Sequence, residues 1–453
     1  MKKKALNVLL ILLSFSALMS FSFRMNDPIS SLSYQYPHHI SISWEKSPVT
    51  TQSVTWRTHD TTRVSFLEYT ETTATPFFKD KVKQVPAVTE RHTTDDGSWN
   101  HHSATIEQLK PNTSYTYRVG NGDYWSEWAE FRTASGTNEP FSFIYFGDVQ
   151  RDIYSLGSRT IRKAIMDRSE AKFLLFGGDL VHRGALNNEN WNEFFPTGGW
   201  VFQSYPIIAT PGNHEYVTPR DPDVLTPDWR LNFTFPQNGP AGHEEQTYFI
   251  DYNNIRIISL NLCEYEINKA GNQAMLGWLE DRLKEFKGDW VIVTHHYSIE
   301  QLARNREGGI RFPEFQALYE KYNVPLVLTG HEHVYARGRI KGKMPVYVVT
   351  VSGPYQNAIR FPEWVERAGS SQQLYQIIDV TPQSLRYVSK TVTGDVYDGF
   401  TIKKGKNGRI EFSADQGLPA ESLIPPRDFE TRYKKAEVES YEADMKRYLQ
   451  RKK

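Results

Sequence analysis

The chain has 453 residues carrying 53 basic and 53 acidic side chains, a formal net charge of zero. That balance excludes a nucleic-acid binder driven by bulk positive charge. The length predicts two domains rather than one, and the composition, with 11 Trp, 25 Tyr and 25 Phe, is that of a globular protein rich in aromatic side chains.

Lys2, Lys3 and Lys4, followed by the apolar run 5–21, read as a secretory signal over residues 1–22. The alternative, an uncleaved membrane anchor, calls for a longer apolar run. Cleavage would remove three lysines and no acid, leaving a mildly acidic chain. No later segment is apolar enough to span a bilayer, so no stable membrane span is predicted. The single cysteine, Cys263, rules out an internal disulfide and is predicted as a packed core thiol within the apolar run 257–263. An exported chain without disulfides predicts a bacterial periplasm or cell surface.

Residues 36–135 form the first predicted domain. Short apolar-alternating stretches at 40–44, 53–58, 65–70, 103–106, 114–119 and 129–132, with turn signals between them, predict an all-β sandwich. The Ser-, Gly-, Asn- and Pro-bearing stretch 134–140 is the linker. From 141 to 404 strands and helices alternate, which predicts an α/β domain. Its predicted strands are 141–146, 173–176, 206–210, 290–294, 325–329 and 346–351, and its predicted helices are 158–166, 272–286 and 314–321. The charged tail 405–453 is predicted to carry one helix over 428–451, with Phe429, Tyr433, Ala436 and Met445 as a narrow apolar stripe.

Five short motifs follow apolar runs of this second domain in fixed order. They are Gly147-Asp148, Gly178-Asp179-Leu180-Val181-His182-Arg183, Gly212-Asn213-His214-Glu215, Val293-Thr294-His295-His296 and Gly330-His331-Glu332-His333. Strand ends are where such a sheet gathers its loops. Carboxylate, imidazole and amide oxygen together are a ligand set for two divalent or trivalent ions, and a two-metal site is suited to phosphoester cleavage. His331 and His333, two apart on an extended segment, project to one side.

The motif set resembles the calcineurin-like metallophosphoesterases, and most closely their purple acid phosphatase branch. The stretches 109–120 and 125–133 resemble the fibronectin type III-like N-terminal domain of that branch, the first of them its tyrosine-corner turn. The resemblance implies a fibronectin type III-like sandwich followed by an α/β metallophosphoesterase domain of two mixed sheets flanked by helices. It also implies two bound metal ions (iron, zinc or manganese), a small phosphate ester as substrate, phosphomonoesters ahead of diesters, and in-line attack by a metal-held hydroxide. No nucleic-acid partner is indicated.

Carried over residue by residue, the resemblance makes Asp179 the ligand shared by both metals, and Asp148 and His333 ligands of the first. Asn213, His296 and His331 become ligands of the second. His296 is chosen over His295 because it lies six residues after Trp290, and His295 stays the alternative. The branch carries Tyr where this chain has His182, so the tyrosinate colour is expected to be lost. His182 is then a replacement ligand or a side chain behind the ligands. Gln150 replaces the family's Gly or His and is expected to contact substrate or solvent. Arg183 is expected to clamp phosphate, with a surface salt bridge as the other reading. His214 is expected to contact phosphate and protonate the leaving oxygen, oriented by Glu215.

Overall fold

The structure, a computed structural model, describes residues 36–218, 224–267, 273–406 and 409–452. The predicted signal over 1–22 lies outside the described residues.

The first domain is a sandwich of two antiparallel layers. Strands His38–Ser43, Gln52–His59, Gly97–Ile106 and Val88–Thr94 make one layer, and Lys83–Pro86, Phe66–Glu71, Ser114–Gly120 and Ala129–Arg132 the other. Alternating side chains such as Val54, Trp56, Leu67, Tyr117 and Val119 meet between the layers and are essentially unexposed. The Tyr115 hydroxyl accepts the Lys110 N–H at 2.9 Å, closing the corner expected of the 109–120 stretch. Two strands, Lys83–Pro86 and Val88–Thr94, were not predicted. Their residues are mostly exposed and charged or polar, so they carry no apolar alternation.

The second domain has two facing sheets. In one, Phe141–Phe146, Leu174–Phe176 and Ile207–Ala209 run parallel at the centre, flanked by the meander Leu374–Thr381, Ser384–Thr391, Val396–Lys404 and Ile410–Ala414. In the other, Ile255–Leu260, Trp290–His295, Leu326–Thr329 and Val346–Val349 run parallel, with Tyr248–Tyr252, Tyr335–Gly338 and Val365–Gly369 added antiparallel. The central strands are buried on both faces, which accounts for their unbroken apolar runs. Alternation splits them between two cores. Ile292, Leu326 and Leu328 face the other sheet, while Val293 and Val327 face helices Gln273–Glu285 and Pro313–Lys321.

The two domains are joined by backbone. Ser43 pairs in parallel with Ile207, so the first domain's layer continues the second domain's sheet into eleven strands. Trp44 belongs to the second domain's core, its ring 5.9 Å from Phe173.

Two sequence expectations shift. The sheet does not stop at 404, because Ile410–Ala414 pairs with Val396–Lys404. The single tail helix is two, Phe429–Arg432 and Lys435–Gln450, because Tyr433 is extended at φ −108° and ψ 153°. Cys263, by contrast, is the packed core thiol expected, buried in helix Leu262–Ile267 and in no disulfide.

Candidate metal centre

The candidate ligands of all five motifs fall just beyond the carboxyl ends of parallel strands. Asp148 follows Phe141–Phe146, Asp179 follows Leu174–Phe176, Asn213 follows Ile207–Ala209, His296 follows Trp290–His295, and His331 and His333 follow Leu326–Thr329. The crevice between the two sheets therefore collects acids and imidazoles from separate strands.

Two groups result. Asp179, His296 and His331 form one, and Asp148, Asp179 and His333 the other, with the ligand atoms of each within 4.8 Å of one another. Asp179 belongs to both. In the first, His296 Nε2 stands 3.1 Å from Asp179 Oδ2, 3.2 Å from Asn213 Oδ1 and 3.3 Å from His331 Nδ1. In the second, His333 Nε2 stands 3.6 Å from Asp148 Oδ1.

The backbone orients these donors. His296 Nδ1–H donates to the Gly177 carbonyl at 2.8 Å and His333 Nδ1–H to the Tyr355 carbonyl at 3.0 Å, which turns both Nε2 lone pairs inward. Both Asp148 oxygens accept the His331 N–H, at 3.0 and 2.8 Å. Gly178 has φ +88°, and a Cβ there would lie 2.6 Å from His296 Nδ1, so only glycine fits between the two ligands.

The electrostatics suit a cation. Burial and the neighbouring Asp179 push Asp148 well above the usual carboxylate range, against the pull of His296. Burial disfavours a charged His296, yet Asp179 and Asp148 outweigh it and raise its pKa to about 9. Burial lowers His333 to about 3, leaving a neutral ring with a lone pair. Buried carboxylates that call a proton onto an imidazole are satisfied equally by a metal ion, and oxygen and nitrogen donors fit iron, zinc or manganese.

The other candidates take distinct places. His295 points away: its Nδ1 bonds the Tyr297 carbonyl at 2.6 Å and its ring stacks on Tyr319. His182 is in neither group. Its Nδ1 bonds Gln150 Oε1 at 2.8 Å, and the other end of that amide reaches Asp179 Oδ2 at 2.6 Å. Gln150 thus does not face solvent. It is 1% exposed and fills the space between His182 and the acids. His214 stacks on His182 with ring centroids 4.9 Å apart, and its Nδ1 bonds the His182 carbonyl at 2.6 Å, which leaves Nε2 available. Glu215 does not orient His214. Its buried carboxylate accepts the N–H groups of Gly212, Asp179, Leu180 and Val181 at 2.7 to 3.3 Å. The Arg183 side chain is exposed and forms no ion pair among the described residues.

Comparison with known proteins agrees with this geometry. Residues 141–335 match the calcineurin-like phosphoesterase family, and residues 37–133 match the purple acid phosphatase N-terminal domain. The chain carries a purple acid phosphatase N-terminal domain followed by a calcineurin-like phosphoesterase domain. It is 26% identical over 249 residues to the Fe(3+)-Zn(2+) purple acid phosphatase 12 of Arabidopsis thaliana, covering 52% of each chain. It is 25% identical over 365 residues to the acid phosphatase type 7 of Danio rerio, covering 68% of this chain and 78% of that one. The chain spans about half the length of most curated relatives it matches. The fold matches the purple acid phosphatase PPD1 of yellow lupin with a TM-score of 0.68 at 19% identity, over 82% of this chain and 74% of that one.

In the phosphoesterase domain several supporting residues escaped sequence reasoning. Asn190 Oδ1 accepts the His182 and Arg183 N–H groups at 3.1 and 3.0 Å, fixing that turn. Glu332, between the two motif histidines, accepts from Leu302 N, Ala303 N and Ser298 Oγ at 3.0, 2.7 and 3.1 Å. An Asn immediately before a Trp in a polar segment has no distinguishing pattern. The Glu332 position inside a ligand motif was the one available signal.

Proposed function

We propose that this chain is a dinuclear metal-dependent phosphoester hydrolase of the acid phosphatase type, acting on small phosphomonoesters. The observation that carries the reading is the pair of buried ligand groups sharing Asp179. On this reading Asp148, Asp179 and His333 hold one ion, and Asp179, Asn213, His296 and His331 the other. When bound, the ions supply acidity to a water molecule and neutralise phosphoryl charge.

The chain's own groups supply the rest. Arg183, exposed and next in the chain to His182, carries a planar fork that matches two phosphoryl oxygens. His214, with Nδ1 committed to the His182 carbonyl, presents Nε2 as the nitrogen that passes a proton to the leaving oxygen. Gln150 and His182 act as a buttress, passing a hydrogen-bonded contact from Asp179 to the His214 stack. A tyrosinate ligand has no counterpart here, so the holoenzyme is expected to be colourless in the visible charge-transfer region. The N-terminal pattern of three lysines and an apolar run supports export, and no helix among the described residues is long and apolar enough to cross a membrane.

The test is metal content and turnover of the purified chain on an aryl phosphomonoester and a bis-aryl phosphodiester. Two metals per chain with faster monoester turnover supports the proposal. Faster diester turnover moves the substrate class, and no metal with no turnover after reconstitution sinks it.

A further inference from the structure

The loop His331–Glu332–His333 carries two of the candidate ligands in an unusual backbone state. His331 has φ 71° and His333 φ 52°, both in the left-handed region that side chains with a Cβ avoid. A loop of this shape needs outside restraint, and much of it comes from the C-terminal segment, beyond the residues that match the phosphoesterase family. Asn357 donates its backbone N–H to the His333 carbonyl at 2.9 Å and its side-chain amide N–H to the Glu332 carbonyl at 3.0 Å. Asn357 is held in turn by the tail. The Tyr433 hydroxyl donates to Asn357 Oδ1 at 3.2 Å and accepts the Ala358 N–H at 2.9 Å.

A second contact runs alongside. Arg432 donates to the Gln356 carbonyl at 2.6 Å and lies over the Tyr355 ring at 5.0 Å. Tyr355 is the residue whose carbonyl fixes the His333 tautomer. The tail is anchored for this role. Phe429, Tyr433 and Tyr441 bury themselves with Ala358 in a small core of their own, and Arg304 donates to the Glu437 carbonyl at 2.7 Å. The break between the two tail helices is what frees Tyr433 to point its hydroxyl at the loop.

We infer that the C-terminal segment is a strap that holds the metal-binding loop, with Tyr433 as a positioning residue acting through Asn357 on His333. The inference rests on the proposed metal centre. It gives the tail a positioning role in the site. It places the larger effect on the ion that His333 would hold, because the Asn357 bonds reach the His333 and Glu332 carbonyls and His333 belongs to only one ligand group.

The test is zinc titration of the metal-free full-length chain by calorimetry, for wild type, Tyr433→Phe and Tyr441→Phe. Tyr441→Phe is the control: it removes a hydroxyl from the same small core, but that hydroxyl donates to the Leu423 carbonyl at 2.8 Å, away from the histidine loop. Loss of a supporting hydrogen bond behind a ligand predicts about tenfold weaker zinc binding at one of two sites in Tyr433→Phe, with Tyr441→Phe within about twofold of wild type. Thermal unfolding of the metal-free proteins reports the structural cost of each change separately. Wild type binding two zinc ions with Tyr433→Phe indistinguishable from it, or with both variants weakened alike, overturns the inference alone. Wild type that takes up no zinc overturns the inference and the proposed function together.

Discussion

Asp179 stands in both ligand groups, whereas Asp148 stands in one. Asp179→Asn keeps the shape and removes the shared charge, so the purified protein is expected to lose both ions and about a hundredfold or more of its turnover. Asp148→Asn is expected to retain one ion. Metal analysis after dialysis distinguishes the two, and equal retention would show that the ligands are not shared as proposed. Glu215 gives a different kind of test. Its carboxylate accepts four backbone N–H groups in the interior, and Glu215→Gln turns an amide donor toward some of them. Leaving buried donors unmatched costs about 2–3 kcal/mol, expected as a lower urea midpoint even in the metal-free protein. The ligand types at this scale were legible, because Asp, Asn and His after apolar runs are unusual enough to read. The role of Gln150 was not, since an amide between an imidazole and a carboxylate leaves no pattern in the chain.

The turn that carries His182 and Arg183 is held by a neighbouring element. Asn190 accepts both N–H groups, and the same segment is tied to the first domain. Asp95 accepts the Asn187 N–H at 2.6 Å, and Arg57 donates to Asn187 Oδ1 at 2.7 Å. Asn190→Ala is expected to loosen Arg183 and raise KM for a phosphomonoester about ten- to hundredfold. Ordinary KM with ordinary kcat would remove Arg183 from substrate binding or Asn190 from its support. Doubly buried strands such as Phe141–Phe146 were readable from their apolar runs. The strand Gly97–Ile106, predicted only from 103, was not. Its first half buries Trp99, Asn100, His101 and His102, and a run of buried polar residues does not look like a strand interior.

Across the whole molecule the seam between domains is a structural element in its own right. Ser41 and Thr55 donate to the Asn232 carbonyl at 3.1 and 2.7 Å, Ser43 to the Thr234 carbonyl at 2.8 Å and Tyr117 to the Gln203 carbonyl at 2.8 Å. Deleting residues 37–133 would strip these partners and bare the edge of strand Ile207–Ala209. The remainder is expected to be aggregation-prone, seen as loss from the soluble fraction. The seam and the first domain beside it also hold histidines that burial keeps neutral. His102 is lowered to about 3 and His101 to about 4, and His38 and His39 lie well below the ordinary value. Below about pH 6.5 the unfolded chain takes up protons at these positions and the folded chain does not, so stability falls with pH down to the folded pKa values. His92, raised by its bond to Asp228, and His296, raised by Asp179 and Asp148 against its burial, work in the opposite direction, as do the acids Glu215 and Glu245, raised chiefly by burial. The lowered histidines, which also include His182, His295, His331 and His333, outnumber them. The urea midpoint of the metal-free protein is expected to be lower at pH 5 than at pH 7.5, and an unchanged midpoint would contradict the burial of these rings.

The sequence by itself determined the two-domain order, the α/β class of the second domain and the residue types of the candidate metal centre. Each of these rests on local rules: apolar alternation, apolar runs, and ligand side chains just past a strand. Tertiary structure alone decided which atoms meet. His295 and His296 are adjacent in the chain, but strand geometry sends one to Tyr319 and the other to Asp179. The tail reads as a charged helix, yet the break at Tyr433 takes a hydroxyl to Asn357, 76 residues away in sequence. Contacts of that span are fixed by how packed sheets and segments come together, and no periodicity along the chain records them.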